Sequence, residues 1–279
     1  MSVGTSTGPA ADTAPARRER RRTDWGKWFT WVVMAWLFLP IAGMIAFSFN
    51  DISGRQNVTW QGFTLKWYGD AFAYRDLNTA LFNTVAIGLL TMLIAGVVGS
   101  LLGLAIGRYR FRGQGVTNLV MFAAISAPEV VMGASLLSLF LTMNISAGFV
   151  TILIAHVMFT ISFVAITVRA RVITLDPKLE EAARDLGAGP WTTFRLVTFP
   201  MLLPAIMAGG LLALALSVDD FIITSFVSGD TTTFPLWIWG ATRVGIPPQV
   251  NVMGTLIFTV GVLLAVINVV VARRNRNPR

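Results

Sequence analysis

The chain has 279 residues, of which 54% are hydrophobic and only 13% are charged, and its formal net charge is +8. Soluble domains carry roughly 25% charged residues, so this composition excludes an ordinary soluble globular protein. It also argues against a nucleic-acid-binding protein, the class that a pI of about 11.0 first suggests. The absence of Cys excludes disulfide frameworks, Cys-ligated zinc and thiol nucleophiles. The composition fits an integral membrane protein.

The first 24 residues are predicted to form a disordered, basic tail. Residues 1–16 are rich in Ala, Thr, Ser, Gly and Pro, and residues 17–22 contain five Arg. The apolar run that follows is too long for the apolar core of a signal peptide and has no convincing cleavage site. We therefore expect an uncleaved first membrane helix with a basic flank.

Long stretches free of charge predict six transmembrane helices within a membrane domain at residues 25–275. A helix that crosses the bilayer needs about 20 mostly apolar residues. The uncharged stretch at 130–168 is too long for one span, and the turn signal at 144–148 divides it. The predicted helices cover about 28–49, 80–107, 116–143, 149–169, 200–227 and 250–272. The sequence thus predicts an all-α integral membrane protein.

The distribution of basic residues predicts the orientation of these helices. With the N-terminus in the cytoplasm, 18 of the 22 Lys and Arg residues fall on the cytoplasmic side. Short loops rich in Lys and Arg stay in the cytoplasm, so both termini are expected there. The loop at about 170–199 and a short tail at 276–279 are then cytoplasmic as well.

An amphipathic helix is predicted inside the cytoplasmic loop, at 176–188. Asp176 suits the cap of a helix, Pro177 its first position, and Gly187 the residue after its end. One apolar stripe recurs at helical spacing and consists of Leu179, Ala182, Ala183 and Leu186. Its small residues favour a helix that lies in the groove of a partner protein. The alternative is a helix on the membrane surface, where four acidic residues would face anionic lipid.

This loop resembles the signature loop of ABC importer permeases. Glu181-Ala182-Ala183, Gly187 and the stretch that ends at Pro200 match the EAA–G–(Ile-x-Leu-Pro) pattern, with Val197 and Phe199 in place of Ile and Leu. The resemblance implies the type I importer permease fold, a place in the bacterial cytoplasmic membrane, and a coupling helix that docks on an ATPase. The docking residues that it implies are Leu179, Glu181, Ala182, Ala183, Leu186 and Gly187.

The same resemblance implies a set of partners. They are a second permease subunit, two ATPase subunits that bind ATP and Mg²⁺, and an extracytoplasmic substrate-binding protein. Membrane lipid surrounds such a subunit, and nucleic acid is not expected as a partner.

Shorter motifs resemble the permeases of spermidine/putrescine importers, most of all the second of their two permease subunits. Similar motifs occur in permeases for iron, thiamine or aminoethylphosphonate, so these cargoes stay as alternatives. The motifs are Ser48-Phe49-Asn50, Thr64-Leu65-Lys66-Trp67-Tyr68, Asn83-Thr84, Pro128-Glu129-Val130-Val131, Ser217-Val218-Asp219-Asp220-Phe221 and Val227-Ser228-Gly229.

Three acidic residues fall within predicted membrane helices: Glu129, Asp219 and Asp220. Each carboxylate at mid-membrane costs about 2.5–3.5 kcal/mol on insertion scales. No Lys or Arg is predicted at that depth, so a cargo with several ammonium groups would offset this cost while it is bound. The alternative is that some of these carboxylates are structural and accept hydrogen bonds from unwound backbone or from a partner subunit.

Helix geometry separates the two adjacent aspartates, because neighbouring residues point about 100° apart. Asp220 shares its face with Ser217 and Thr224, so we expect it to line the substrate path. Asp219 is expected to pack against a neighbouring helix or to lie at a backbone irregularity. Pro128 is expected to break the third helix just before Glu129.

Two further features complete the set of candidate residues. The aromatic segment at 231–250, with Trp239, is predicted either to dip into the mouth of the substrate path or to form an interfacial loop. His156 has no second ligand at helical spacing, so a buried hydrogen bond between helices is expected there rather than a metal.

The chain lacks the G-x-x-x-x-G-K-[ST] motif that cradles nucleotide phosphates. We therefore expect no enzyme activity and no bound cofactor in this chain, with ATP hydrolysis on a separate subunit. Two alternatives from other classes remain. An ATP-independent secondary transporter would usually show an internal repeat, and a non-transporting scaffold would have no use for carboxylates in the membrane.

Overall fold

A computed structural model describes residues 25–54 and 56–276, and it is built of helices. The predicted tail at 1–24 and residues 277–279 lie outside this described part. A π-helical segment, Phe194–Thr198, continues α8 into α9. The helices are α1 (Trp25–Phe47), α2 (Lys66–Gly69), α3 (Arg75–Arg108), α4 (Gln114–Ser126), α5 (Glu129–Thr142), α6 (Phe149–Val172), α7 (Lys178–Asp185), α8 (Pro190–Thr193), α9 (Phe199–Asp219), α10 (Ile222–Val227), α11 (Phe234–Val244) and α12 (Pro248–Arg276).

Within the described residues, four helical runs are long and apolar enough to cross a membrane. They are α1, α3, α6 and the continuous run Pro190–Asp219. The pair α4 and α5 makes a fifth span if the two are counted together, and α12 contributes a shorter apolar stretch at Pro248–Leu263. The described residues therefore form an all-α arrangement with four or five candidate spans by length and composition.

Two of the predicted helices are broken. The first breaks at the proline where a break is expected, whereas the prediction of a single helix at 200–227 was wrong. In place of the helix at 116–143, α4 and α5 meet at an angle of 108°. Pro128 lacks an amide hydrogen and forces the residue before it out of helical geometry, so the break expected at this proline is confirmed. In place of the helix at 200–227, the chain turns extended at Asp220, with ψ of 121°. The same run also begins earlier than predicted, at Pro190.

The centre of the fold is the packing of α3, α6 and α9. Small residues on α3 let its backbone approach α6 closely. A Cβ atom added to Gly103 would lie 2.5 Å from the carbonyl oxygen of Ala165, and one added to Gly99 would lie 2.7 Å from Cβ of Val164. Only glycine allows this approach, so the G-x-x-x-G spacing of α3 fixes its distance from α6.

A second apolar cluster connects α3, α5, α6 and α10. Because α5 and α10 each begin just after one of the two helix breaks, this cluster holds both breaks in place. A Cβ atom added to Gly133 of α5 would lie 2.6 Å from the ring of Phe226, which shows how closely α5 and α10 pack. The buried members are Ile87, Leu136, Phe140, Ile152, Ala155, Phe159, Ile223 and Val227.

Several of the short motifs noted in the sequence fix turns and loops. The buried side chain of Asn50 donates to the side chain of Asn57 and to the carbonyl oxygen of Thr59, both at 2.7 Å, and the Trp67 indole donates to the carbonyl oxygen of Asn50 at 2.7 Å. The hydroxyl oxygen of Thr84 accepts the N–H of Phe234 at 2.7 Å, which holds the start of α11 against α3.

Candidate functional site

The break between α9 and α10 brings a buried carboxylate next to a buried histidine. Asp220 accepts the N–H of Thr224 at 2.8 Å and its hydroxyl at 2.6 Å, and so caps the start of α10. The same carboxylate oxygen lies 3.2 Å from Nε2 of His156 on α6. The side chain of Asp220 is only 4% exposed. This cluster therefore links α6 to both sides of the break.

One arrangement of protons satisfies every polar group of the cluster. The hydroxyl of Ser217 donates to Nδ1 of His156 at 2.7 Å, and Nε2–H donates to Asp220. Thr224 supplies the remaining donors to the carboxylate. The buried hydrogen bond between helices that the sequence predicts for His156 is confirmed.

The other two carboxylates that the sequence places within the membrane, Asp219 and Glu129, are exposed in the single chain. Asp219 is the last residue of α9, and Glu129 is the first residue of α5, directly after Pro128. Asp219 is exposed and Asp220 is buried in the single chain, because α9 ends between them and Asp220 caps the next helix. The expectation that Asp220 lines the substrate path stays a prediction. Asp219 does lie at a backbone irregularity, as expected. Ser217 and Thr224 share the surroundings of Asp220, also as expected.

Trp239 lies beside the same break. Its ring centroid is 5.2 Å from that of Phe221, the residue after Asp220. The guanidinium of Arg243, one turn further along α11, lies 5.8 Å from the centre of the Trp239 ring. The aromatic segment is thus a short helix, α11, whose Trp239 is half-exposed next to the break. Within residues 25–54 and 56–276, no group of three or more His, Asp or Glu is placed to hold a metal ion.

The helix predicted in the cytoplasmic loop is α7, and it begins slightly later than predicted. Asp176 accepts the N–H of Lys178 at 3.0 Å, so it caps the helix, which runs over Lys178–Asp185. Gly187 adopts φ of +86°, a left-handed conformation in which glycine carries no steric penalty. The N–H of Gly187 donates to the carbonyl oxygen of Arg184, and the N–H of Ala188 donates to that of Ala183. These two bonds close the helix end in a Schellman motif.

The stripe proposed for docking lies open on α7. Leu186 is 90% exposed and Leu179 is 45% exposed. Glu181, Ala182 and Gly187 are also exposed, whereas Ala183 is partly covered. A contiguous exposed apolar stripe, unlike a single exposed leucine, is typical of a surface that a partner covers.

Sequence reasoning missed the side chain that anchors α7. Glu180, outside the apolar stripe, bonds Arg108 at the end of α3 and Thr198 in the π-helical segment. Its partners lie 72 and 18 residues away in sequence, so no local periodicity points to them.

Comparison with known proteins now identifies the family. A family model described as a binding-protein-dependent transport system inner membrane component matches residues 99–277, well over half of the chain. The chain belongs to this family. It is therefore an inner-membrane permease subunit of an ABC importer.

The family includes curated relatives that match along most of the chain. The spermidine/putrescine transport system permease protein PotC of Haemophilus influenzae is 36% identical over 89% of this chain and 96% of the relative. PotC of Escherichia coli K12 is 35% identical over 88% and 92%. The putrescine transport system permease protein PotI of E. coli K12 is 34% identical over 85% and 86%.

Solved structures support the fold. A chain from a bacterial ABC transporter that imports the acidic polysaccharide alginate superposes with a TM-score of 0.63 at 17% identity, covering 92% of this chain and 98% of that chain. An amino acid ABC transporter solved with histidines gives a TM-score of 0.55 at 17% identity, covering 76% and 100%. The type I importer permease fold is thus shown by these neighbours.

Family membership decides several expectations. Its members are permease components of the inner membrane, so the predicted location is confirmed and the chain is not an enzyme. The two alternatives from other classes, an ATP-independent carrier and a scaffold, are disfavoured by the same match. The roles of individual residues stay predictions.

Proposed function

We propose that this chain moves polyamines such as spermidine and putrescine into the cytoplasm, as one permease subunit of an ATP-driven importer. The observation that carries this proposal is the similarity, at 34–36% identity over 85–89% of the chain, to permeases named for spermidine/putrescine or putrescine. Unlike the motifs, this similarity extends over most of the chain, including both helix breaks.

The charge within the membrane suits a cationic cargo. Asp219 and Glu129 are exposed, each at one end of a helix next to a break, and a polyamine carries several ammonium groups that pair with carboxylates. Intramembrane carboxylates are expensive and normally mark a path or a partner contact. The proposed path therefore runs past the two breaks.

The buried cluster forms the wall behind this path. Asp220, Ser217 and Thr224 are already hydrogen-bonded in this conformation, so Asp220 reaches a cargo only if His156 releases it. Trp239 offers an aromatic face beside the break, and such faces attract ammonium groups. The path residues proposed are thus Asp219 and Glu129 in direct contact, with Trp239 beside them and Asp220, Ser217 and Thr224 behind.

We propose six spans, counting the bent pair α4–α5 as one and α12 as the last. With both termini in the cytoplasm, the ends of α3 and α6 and the start of α9 lie on the cytoplasmic side. Support for this orientation comes from the basic residues, which concentrate on that side. Helix α7 then projects from the cytoplasmic end of the bundle.

On that side, α7 is proposed to be the coupling helix that docks on an ATPase subunit. Its apolar stripe is exposed at Leu179 and Leu186 and is closed by the fixed turn at Gly187. The complete importer would contain a second permease, two ATPase subunits that bind ATP and Mg²⁺, and an extracytoplasmic binding protein. Binding of these partners shifts the path between outward and inward access only through a difference in their affinity for the two states.

Uptake by cells tests the proposed cargo. A strain that lacks the chain, and the same strain with the chain restored, are compared for uptake of labelled spermidine and putrescine. We expect restored uptake of at least one polyamine, and loss of that uptake in Glu181→Lys. Restored uptake of iron, thiamine or aminoethylphosphonate, with no change for either polyamine, would overturn the proposed cargo while leaving the family intact.

A further inference from the structure

We propose that Glu180 is a positioning residue that ties the coupling helix to α3 and α9 at once, and so transmits its movement into the membrane helices. This inference rests on the proposed docking of α7 on an ATPase. The residue stands beside Glu181 of the loop signature, but its side chain bonds to the end of α3 and to the π-helical segment that leads into α9. Its side chain is 19% exposed, whereas its neighbours Leu179 and Glu181 are open.

The first connection is an ion pair with α3. Oε2 of Glu180 accepts a hydrogen bond from Nη2 of Arg108 at 2.6 Å, and Arg108 is the last residue of α3. Both side chains are mostly covered. Charge-assisted hydrogen bonds of this length are among the stronger ones in proteins, and partial burial protects the pair from screening by salt.

The second connection reaches the base of α9. The other carboxylate oxygen of Glu180, Oε1, accepts the hydroxyl of Thr198 at 2.9 Å. Thr198 is buried and is the last residue of the π-helical segment, which leads directly into α9. π-Helical turns are rare and occur frequently at functional sites. Here the turn sets the register that presents the Thr198 hydroxyl to the coupling helix.

The two oxygens of one carboxylate therefore hold two different helices. α3 and α9 both pack in the central core with α6, and α9 runs without interruption to Asp219 at the break. A shift of α7 that keeps both bonds must move the ends of α3 and α9 together. Arg184, one turn further along α7, lies 4.0 Å from Glu180 and helps to neutralise it from the open side.

Two measurements on a Glu180 variant separate a mechanical role from a merely structural one: stimulation of the ATPase, and retention of the ATPase in the complex. The assembled importer is purified with its ATPase and reconstituted in nanodiscs. The measured quantity is the ratio of ATPase activity with cargo-loaded binding protein to the activity without it. For Glu180→Gln we expect this ratio to fall towards one, with a loss of stimulation on the order of tenfold. ATPase co-purification should be unchanged.

The matched control is Asp185→Asn, which removes one negative charge from the same helix. Asp185 is exposed, and among the described residues no hydrogen bond or ion pair of its side chain is recorded. Its stimulation ratio should equal that of the wild type. A rescue variant, Glu180→Arg with Arg108→Glu, restores the ion pair in reverse and should recover part of the stimulation that each single change removes.

Thr198→Val is the second variant, for use if the Glu180→Gln chain does not assemble with its partners. It removes only the bond from Thr198 to Glu180, so the stimulation ratio should fall by less than the tenfold loss expected for Glu180→Gln. Equal ratios for Glu180→Gln and Asp185→Asn, or for Thr198→Val and wild type, would overturn the role of Glu180. No improvement in the charge-reversed pair would overturn it too. A wild-type chain that retains no ATPase would instead overturn the proposed function, so the two failures are distinct.

Discussion

The helix break at Asp220 and the proposed coupling helix α7 differ in what they bury: the break buries a charged side chain, whereas α7 exposes apolar ones. At the break, the Asp220 side chain is 4% exposed and its hydrogen bonds are completed by His156 and Thr224 of the same chain. On α7, Leu186 is 90% exposed, and Glu180, on another face of the helix, anchors it to α3. The chain thus completes one site by itself and leaves the other for a partner.

The difference has a physical origin in the surroundings of each site. A carboxylate within the bilayer must find donors from protein, because lipid offers none. In the proposed orientation α7 is a cytoplasmic helix surrounded by water, so its charged face is solvated and only its apolar stripe gains from a partner. Asp219 and Glu129 are exposed carboxylates that the proposal places within the membrane, and this is why they are the candidates for contact with cargo.

The largest effect, on thermal stability, is expected at Asp220, whose hydrogen bonds all come from its own chain. Asp220→Ala removes the cap of α10 and the partner of His156, and leaves buried donors unpaired. Each buried donor left without a partner costs roughly 1–3 kcal/mol. The thermal midpoint of the purified chain in detergent should fall clearly. The control Asp219→Ala should change stability by less than about 0.5 kcal/mol, because that side chain is exposed. Equal midpoints for the two variants would contradict the comparison.

Transport should respond to the exposed carboxylates without any loss of folding. Asp219→Asn and Glu129→Gln keep the shape of each side chain and remove its charge. We expect uptake of the cargo to fall on the order of tenfold for each, since a charged contact is worth about 1.5 kcal/mol or more. The measurement is kcat/KM for labelled polyamine at matched expression. Full uptake by both variants would show that the path does not pass the two breaks.

The coupling helix should show the reverse pattern, with normal folding and weaker assembly. Leu186→Ser removes the most exposed leucine of the stripe. The control is Val58→Ser, which changes an exposed apolar residue in the segment between α1 and α2. Leu186→Ser should keep the thermal midpoint of the isolated chain and lose several-fold in ATPase co-purification. Equal retention of the ATPase in the two variants would remove the stripe from the interface.

The smallest expected effect is at the turn that ends α7. Gly187→Ala places a side chain at φ of +86°, which costs about 1 kcal/mol. Gly189→Ala is the control, because Gly189 has φ of −68° and open space around it. Only Gly187→Ala should weaken the ATPase stimulation, and by a few-fold at most. An equal effect of both changes would mean that the left-handed turn has no special role.

The sequence predicted α1, α6 and α7 to within a few residues because these helices depend on local signals. Apolar length and the capping residues Asp176 and Gly187 are readable from neighbouring positions, whereas the helix predicted at 200–227 is observed as the run Pro190–Asp219. The proline break was also readable, since Pro128 acts on its own neighbours. The break at Asp220 was expected only as one of two alternatives for Asp219, because no Gly or Pro marks the end of α9 there.

The long-range contacts were not predictable in the same way. His156 meets Asp220 across 64 residues, and Glu180 meets Arg108 across 72. Periodicity places a residue on a face of its own helix, but it does not say which other helix packs there. That information lies in the glycine contacts between α3 and α6 and in the angle between α4 and α5, both of which are properties of the folded chain.

Reconstitution tests the central claim most directly. The complete importer is placed in proteoliposomes with cargo-loaded binding protein outside and ATP inside, and accumulation of labelled spermidine is followed. The account predicts accumulation against a gradient that requires ATP and the binding protein and is reduced by Asp219→Asn. Accumulation without ATP, or none of any polyamine in a complex whose ATPase is active, would contradict it.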